Sequence, residues 1–426
     1  MGDVTPRTRI NAQSPGAPAT HDFPYRRHRP DYWLLLLSVA MLVIGLIVIY
    51  SISPALGLAN GVSSNFYFTR QLFAIGLSAV AFIVASSIAI PTWRRWSKPL
   101  LGVAIVATIL ALVIPVNPAY PAHRWVRLGS FSFQSVEIVK YALLVWLAMM
   151  LGDRVTNKTI SNTKGALKPL LVVLLLVGAI VAGIQSDFGS AVVIIAMMGS
   201  MAYVAGMPLK RLILVGTVLA VLAVLAISAV PYRRARLEAY FHPTANCQST
   251  GYQACQAVIS VGSGGLIGLG LGRSVQAYGY LPEAANDSIF AIYAEKFGFI
   301  GSAILLALFT ALFTKLKAIA ERAPDNFTRL FTIGTLAWLS VQTIINVGAM
   351  VGLLPLKGIT LPLVSYGGTS VVFIMAALGV VFQISRYTHY VTEDSTGSSG
   401  RSIARENRFD RRRVRGSYNP DPGSRT

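Results

Sequence analysis

The feature of the sequence that most constrains its fold is a series of long apolar runs. About ten of them are long enough to cross a hydrocarbon core of ~30 Å as helices. They lie near 32–53, 68–90, 98–116, 136–152, 168–185, 188–206, 210–231, 287–316, 328–354 and 364–387. Only 13% of the 426 residues are charged, whereas about 25% of a soluble domain is charged. The sequence therefore predicts an all-α polytopic membrane protein of about ten transmembrane helices, with a large outer loop at 232–286 between the seventh and eighth helices.

The distribution of positive charge predicts the orientation of these helices. Lys and Arg concentrate in alternate short loops, such as 91–97 and 317–327, and cytoplasmic loops are enriched in these residues. With an even number of spans, both termini are then cytoplasmic. We expect a membrane domain at 32–390 between disordered basic tails at 1–31 and 391–426, which are rich in Pro, Gly, Ser and charge. Attraction to anionic inner-leaflet lipid explains these tails better than nucleic-acid binding does.

The two cysteines of the chain, Cys247 and Cys255, both fall in the large loop that is predicted to lie outside the membrane. Their spacing permits a small ring closed by a disulfide if the backbone folds back between them. Two free thiols are the alternative. An oxidising outer compartment favours the disulfide.

Several cations occur in loops that are predicted to face outward, against the usual distribution of charge. They are Arg124, Arg127, Lys357 and Arg273, the last at the end of the glycine-rich run GSGGLIGLGLGR at 262–273. We interpret them as contacts for an anionic ligand, with an accident of short loops as the alternative. The glycine-rich run lacks the sequence context of a nucleotide-binding loop. It is either a phosphate cradle or a flexible or re-entrant segment with close backbone packing.

Ionisable residues at the edges of the predicted spans are candidates for function, because charge near hydrocarbon is costly. Glu137 and Lys140 lie one helical turn apart at the start of the fourth span and can form an ion pair on one face. Asp187 lies in the turn between the fifth and sixth spans. It is either a helix cap or a functional carboxylate, and the same two alternatives hold for Asp287 at the outer end of the eighth span.

The stretch YLPEAANDSIFAIYAEKFGFIG at 280–301 carries four charges around the start of the eighth span. Glu283 and Asp287 belong to the outer mouth of the span. If the helix starts at Asp287, Glu295 shares its face and lies about 12 Å deeper. We expect Lys296 to snorkel or to pair internally, and Glu295 and Lys296 to order the helix bundle.

Four longer segments, taken together and in this order, resemble the SEDS family, the shape, elongation, division and sporulation glycosyltransferases. They are HRWVRLGSFSFQSVEIVK, QSDFGSAVVI, VGSGGLIGLGLGRSVQAYGYLPEAANDSIFAIYAEKFGFIG and INVGAMVGLLPLKGITLPLVSYGGTS. The last two are more similar to the division member of the family than to the elongation member. The resemblance implies a ten-helix fold and polymerisation of lipid II into peptidoglycan at the outer face of the bacterial cytoplasmic membrane, at the division septum. The alternatives are an elongation-type polymerase, a lipid II flippase or transporter, and a scaffolding protein.

The resemblance also implies roles for particular residues. Asp287 corresponds to the aspartate that is essential for polymerisation, and we hypothesise that it is the general base. Candidate substrate-binding residues are Arg124, Trp125, Arg127, Gln134, Glu137, Lys140, Asp187, Arg273, Glu283, Lys357 and Ser365. The chain departs from the usual family proline, proline, histidine and phenylalanine at Ser135, Ser186, Ala285 and Ser288, respectively. We therefore expect altered local helix geometry at the two former proline positions.

The expected partners also follow from the resemblance. They are undecaprenyl diphosphate-linked glycan, a class B penicillin-binding transpeptidase and membrane proteins of the division complex. No cofactor is assigned. The sequence contains no DxD motif of the kind that many sugar-nucleotide transferases use, so dependence on a divalent cation such as Mg²⁺ or Mn²⁺ is left open.

Overall fold

A computed structural model describes residues 25–113, 125–128, 131–160, 167–228, 247–249, 251–356 and 358–389. The chain divides into two units. The larger one, Arg27–Thr388, contains the helices and is described below. The smaller one consists of Met1–Arg26 and His389–Thr426. Almost all of the two predicted tails therefore lies outside the described residues.

The described residues are mostly α-helical. The helices are α1 (Tyr32–Ala59), α2 (Phe66–Ser87), α3 (Ile90–Val113), α4 (Ser135–Thr156), α5 (Lys168–Gly178), α6 (Phe188–Val204), α7 (Leu209–Ser228), α8 (Tyr252–Ser263), α9 (Ile289–Glu321), α10 (Asn326–Met350) and α11 (Gly368–Ile384). A π-helical turn, Ala179–Ile184, continues α5. The strands are β1 (Tyr25–Arg27), β2 (Trp125–Leu128), β3 (Phe131–Gln134) and β4 (Tyr387–His389).

Each predicted apolar run coincides with a helix, which confirms the all-α membrane fold. Among the described residues, six helices are long and apolar enough to cross a membrane, namely α1, α2, α3, α4, α9 and α10. Three shorter apolar helices are Lys168–Ile184, Phe188–Val204 and Gly368–Ile384. The length and apolar composition of these helices therefore agree with the membrane fold that the sequence predicts.

The predicted helix ends are wrong at three places. Residues 91–97, expected as a loop, form the first turns of α3, because Pro91 is tolerated near a helix start. The helix α9 continues to Glu321, beyond the predicted loop start at 317. It begins at Ile289, so Asp287 precedes the helix and does not share a helical face with Glu295. Charged residues at a helix end lower the hydropathy of the sequence there without preventing helical backbone. Helix boundaries predicted from hydropathy therefore differ from those in the structure.

The predicted outer loop contains a helix, α8, that hydropathy does not reveal. It starts at Tyr252 and is only 12 residues long. The structure joins Cys247 to Cys255 in its first turn as a disulfide, with Cα atoms 5.5 Å apart. The hydroxyl of Ser260 donates to the carbonyl of Ala291 at 3.0 Å, which fixes α8 against the start of α9.

The centre of the bundle is formed by α4, with α3, α6 and α10 packed around it. Leu143, Leu144 and Leu147 on α4 are completely buried. Gly334 on α10 faces the same helix, and a Cβ there would overlap the Leu144 side chain. Helices that pack this closely place small residues at the interface.

A two-stranded antiparallel hairpin connects α3 to α4. Its register pairs Trp125 with Gln134 and Leu128 with Phe131. The hairpin therefore ends directly at Ser135, the first residue of α4, and delivers Gln134 to the end of the bundle that is predicted to face outward.

Candidate active site

The turn that carries Asp287 is held by three consecutive carbonyl groups. The backbone N–H of Tyr366 donates to the carbonyl of Ala285 at 2.9 Å. The hydroxyl of Ser365 donates to the carbonyl of Asn286 at 2.7 Å. The side-chain amide of Asn346 donates to the carbonyl of Asp287 at 2.7 Å. All three donors come from α10 or the segment before α11. These two elements therefore fix the position of the Asp287 backbone.

Asp287 occupies a special place at the start of α9. The N-cap residue of the helix is Ser288, so Asp287 lies one position before the cap. Its side chain is partly buried, whereas Glu283 is exposed. Glu283 adopts a positive φ of 51° and accepts a hydrogen bond from the side chain of Asn286. Asp287 is therefore not the N-cap residue of α9, and a functional role for its carboxylate stays a prediction.

Ser288 replaces the family phenylalanine and is completely buried. Its hydroxyl donates to the carbonyl of Pro282 at 2.9 Å and accepts from the side-chain amide of Gln253 at 3.2 Å. Gln253 belongs to α8, the helix that carries the disulfide. The serine at position 288 therefore connects α8 to the Asp287 turn.

Glu137 and Lys140 form the predicted ion pair, which is buried and has an N–O distance of 2.7 Å. Lys140 Nζ also donates to Gln342 Oε1 at 3.1 Å and lies 5.1 Å from the ring centre of Trp338. The indole N–H of Trp338 donates to the same Gln342 oxygen at 2.9 Å. This network places a buried ammonium ion against α10.

Helix α10 connects the ion pair to the Asp287 turn. Gln342 and Asn346 are four residues apart, about 6 Å along the helix axis. Gln342 donates to the carbonyl of Thr360 at 3.0 Å, and Asn346 donates to the carbonyl of Ile359 at 2.6 Å. One helical turn therefore joins the Lys140 network, the segment before α11 and the backbone of Asp287.

Tyr366, which lies outside the helices, binds the Asp287 turn through its backbone N–H. Burial raises the pKa of its phenol, and the Arg70 guanidinium nearby partly offsets that effect. Its ring packs edge-on against Tyr67 of α2, with the two ring centres 5.4 Å apart.

Asp187 has the capping role that was one of its two alternatives. It is buried, and its Oδ1 accepts from the backbone N–H of Ser190 at 3.0 Å at the start of α6. Its Oδ2 accepts from the side-chain amide of Gln134 at 3.3 Å. This pair fixes the end of the β2–β3 hairpin to α6, so any contact of Asp187 or Gln134 with substrate stays a prediction.

The two former proline positions differ from one another in geometry. Ser186 has a φ of 54°, which a proline ring, fixed near −65°, cannot adopt. Ser135 is the first residue of α4, and its hydroxyl accepts from the side-chain amide of Gln185 at 2.9 Å. The altered geometry expected from the sequence is therefore evident at Ser186, which follows the π-helical turn.

The glycine-rich run packs its backbone against an interruption in α9 at Gly298. Gly298 has φ 67° and ψ −163°. Phe299 N–H donates to the carbonyl of Gly265 at 2.8 Å, and Ile300 N–H donates to that of Leu266 at 3.0 Å. Of the two alternatives for this run, the structure shows the close backbone packing, and the exposed Arg273 follows it.

The predicted site residues do not form a single cluster. Glu137, Lys140, Ser365 and Asp287 lie around one turn of α10, whereas Asp187 and Gln134 form a separate pair. Trp125 is 43% exposed on β2. The side chains of Arg124, Arg127 and Lys357 lie outside the described residues.

Sequence reasoning missed Gln253, Gln342, Asn346 and Tyr366, which hold the Asp287 turn or the ion pair. The signal that could have found two of them is an amide at positions 342 and 346 within an otherwise apolar span. In the part of the chain that the structure describes, no three His, Cys, Asp or Glu residues form a group that could hold a metal ion.

Comparison with known proteins decides the family. A family described as "Cell cycle protein", comprising FtsW, RodA and SpoVE, matches residues 32–390. The chain belongs to the FtsW/RodA/SpoVE family. As a member it is a polytopic membrane protein and a peptidoglycan glycosyltransferase.

Similar proteins include both division and sporulation members. Stage V sporulation protein E of Bacillus subtilis is 34% identical over 367 residues, covering 86% of this chain and 99% of that protein. A probable peptidoglycan glycosyltransferase FtsW of Coxiella burnetii is 36% identical over 366 residues, covering 84% and 96%.

Solved structures of the family share the fold. Thermus thermophilus rod shape determining protein RodA is 27% identical with a TM-score of 0.62, covering 85% of this chain and 98% of that one. A chain from a structure described as "Structural coordination of polymerization and crosslinking by a peptidoglycan synthase complex" is 26% identical with a TM-score of 0.69, covering 84% and 98%.

Proposed function

We propose that this enzyme polymerises lipid II into glycan strands at the outer face of the cytoplasmic membrane during septal wall synthesis. The observation that carries the proposal is the Asp287 turn, whose three carbonyl groups are fixed beside a buried ion pair. A carboxylate held on a fixed backbone and still partly open is suited to proton abstraction from a bound substrate. The similarity to FtsW proteins supports the septal role.

In this reaction the C4 hydroxyl oxygen of the acceptor sugar attacks the anomeric carbon of the donor. The new glycosidic C–O bond forms as the bond from that carbon to the diphosphate oxygen breaks. Asp287 takes the hydroxyl proton, and the electron pair of the broken bond leaves with undecaprenyl diphosphate. The exposed Arg273 is a candidate for stabilising the diphosphate charge, together with Arg124, Arg127 and Lys357.

The Glu137–Lys140 pair has a supporting role in this proposal. A buried pair with additional hydrogen bonds is a strong positional constraint, because removing one partner leaves an unpaired buried charge. The carbonyl of Thr360 links the same network to the segment that holds Asp287. We therefore place these two residues next to the site and not at the reacting atoms.

The first prediction tests Asp287 as the base. Asp287→Asn retains size but cannot accept the proton, and general-base catalysis typically contributes about 10²–10⁴-fold. We expect purified Asp287→Asn to polymerise lipid II at least about 10²-fold more slowly than the unsubstituted enzyme, measured as glycan product on gels.

The matched control is Asp153→Asn, which removes an exposed carboxylate at the far end of α4. It should polymerise normally. A normal rate for Asp287→Asn would refute the base assignment. Transport of lipid II across liposome membranes without polymer formation would favour the transporter alternative.

The proposed partner is a class B penicillin-binding transpeptidase. One chain of a peptidoglycan synthase complex resembles this protein, and that complex is described by its coordination of polymerization and crosslinking. Measuring polymerisation by the purified enzyme with and without such a transpeptidase tests the pairing. An elongation transpeptidase that stimulates more than a division transpeptidase would argue against the septal role.

A further inference from the structure

Glu295 is completely buried within α9, and the hydrogen bonds of its carboxylate are made with the segment 274–276. It accepts from the hydroxyl of Ser274 at 2.5 Å, from the backbone N–H of Val275 at 2.8 Å and from that of Gln276 at 3.3 Å. Three donors from consecutive residues thus converge on one carboxylate. The expectation that Glu295 orders the helix bundle is wrong, because it binds the segment that follows the glycine-rich run.

Lys296, the next residue on α9, binds the glycine-rich run itself. Its ammonium group donates to the carbonyl of Leu271 at 2.6 Å. The backbone reinforces both side chains, since Leu269 N–H donates to the carbonyl of Glu295 at 2.9 Å and Gly270 N–H donates to that of Lys296 at 3.0 Å. The interruption at Gly298 frees these helix carbonyls, and the glycine-rich run supplies their donors.

The segment 274–288 is consequently attached to α9 at both ends. Its first residues are bound to the Glu295 carboxylate, and its last residue, Ser288, occupies the N-cap position of the helix. Between them, the N–H of Leu281 donates to the carbonyl of Gln276 at 3.0 Å. Asp287 is the penultimate residue of this closed loop. The Glu295 carboxylate thus binds one end of the loop, and α10 and the segment before α11 bind the other end.

We propose that Glu295 is a positioning residue for the glycosyl transfer, which anchors the loop 274–288 and thereby sets the placement of the Asp287 carboxylate. The inference rests on the proposed function of Asp287. Packing alone does not explain a buried carboxylate in a spanning helix, because an apolar residue of similar volume costs less to bury. Three charge-assisted hydrogen bonds define an orientation that apolar contacts do not.

The kinetic test uses Glu295→Gln, which preserves shape and removes the charge. Misplacing a reacting group by about 1 Å can cost about 10²-fold in rate, so we expect kcat for lipid II polymerisation to fall about tenfold. The KM should not change, because Glu295 does not touch the substrate. Adding Glu295→Gln to Asp287→Asn should cost nothing further, because the base is already absent.

The matched control is Lys315→Gln, also on α9, which breaks a partly buried ion pair with Asp31 and should leave kcat unchanged. Three results for Glu295→Gln would overturn the inference. They are an unchanged kcat, a loss equal to the loss of folded protein, and a further full loss in the Asp287→Asn background.

A second measurement does not depend on activity. Spin labels attached through Tyr278→Cys and Lys317→Cys, both exposed positions, report the distance between the loop and the far part of α9. Glu295→Gln should broaden this distance distribution, and an unchanged distribution would refute the anchoring. If the unsubstituted enzyme did not polymerise lipid II, the proposed function would fail, and the label distances would still decide whether Glu295 holds the loop.

Discussion

At the scale of single residues, side chains that hydrogen-bond to backbone carbonyls hold the candidate site in place. Asn346 is the clearest case, because its amide group donates to the carbonyls of both Asp287 and Ile359. Ser365, predicted as a substrate contact, uses its hydroxyl to donate to Asn286 and to accept from the N–H of Leu361 at 2.7 Å. Loss of these donors would leave the buried carbonyl groups that they bind without those hydrogen bonds.

The prediction at this scale concerns Asn346→Leu, which preserves volume and removes the amide. Each carbonyl left without a donor costs about 1–3 kcal/mol of stability, so the melting temperature should fall. The polymerisation rate of the protein that remains folded should fall as well, because the Asp287 turn loses one of its three restraints. Thermal unfolding and lipid II polymerisation measure the two effects.

Thr343→Val is the control for Asn346→Leu. Thr343 is buried on the same helix, and its hydroxyl donates only within the helix, to the carbonyl of Leu339 at 2.8 Å. Thr343→Val should change the free energy of unfolding by no more than about 1 kcal/mol. It should leave the polymerisation rate unchanged. Equal losses for both variants would argue that α10 tolerates no change and that Asn346 has no special role.

At the scale of elements, α9 and the glycine-rich run supply hydrogen-bond partners to each other's backbone. A helix interrupted inside a membrane leaves backbone groups that need partners, and irregular backbone is tolerated there only when it is buried in protein. Here the run supplies N–H groups to Glu295 and Lys296 and carbonyl groups to Phe299 and Ile300. This close approach requires glycine at Gly268, where a Cβ would overlap the Lys296 carbonyl and where φ is +81°.

Three alanine substitutions in the run separate contact from backbone strain. Gly268→Ala adds both a clash and an unfavourable φ, Gly270→Ala adds only the φ of +90°, and Gly272→Ala adds neither. We expect Gly268→Ala to reduce stability and polymerisation most. Gly270→Ala should cost about 1–2 kcal/mol, and Gly272→Ala should be close to neutral. Thermal unfolding with parallel polymerisation assays checks the order, and a neutral Gly268→Ala would contradict the observed packing.

At the scale of the whole molecule, a buried centre carries the site and the surrounding helices face lipid. The central helix α4 is buried over most of its length, whereas α2 and α3 expose many apolar side chains. This distribution is typical of a bundle whose outer surface contacts hydrocarbon. The disulfide acts at the same scale, because it restricts the unfolded chain as well as holding α8 in the native state.

The last prediction concerns that disulfide. Replacing Cys247 and Cys255 by serine should lower the free energy of unfolding by about 2–3 kcal/mol, as chain entropy predicts for a loop of this size. Polymerisation should also weaken, because α8 supplies the Gln253 contact to Ser288. The measurement is thermal unfolding with and without a reductant. A melting temperature that reductant does not change would show that the cross-link contributes nothing in the purified enzyme.

The sequence alone determined the spans and the positions of the charged residues. Hydropathy and length are local properties, so the apolar runs predict helices without knowledge of their neighbours, and the spacing of Glu137 and Lys140 predicts their ion pair. The carboxylate at 287 is also identifiable from its place in a motif.

Only the tertiary structure decided which groups hold that carboxylate in place. The partners of the Asp287 turn come from residues 59 and 79 positions away, in Asn346 and Ser365. Glu295 looked like a bundle contact because two of its three donors are backbone N–H groups, which no sequence pattern reveals. Hydrogen bonds between distant segments depend on how the helices pack, and packing is a property of the folded chain as a whole.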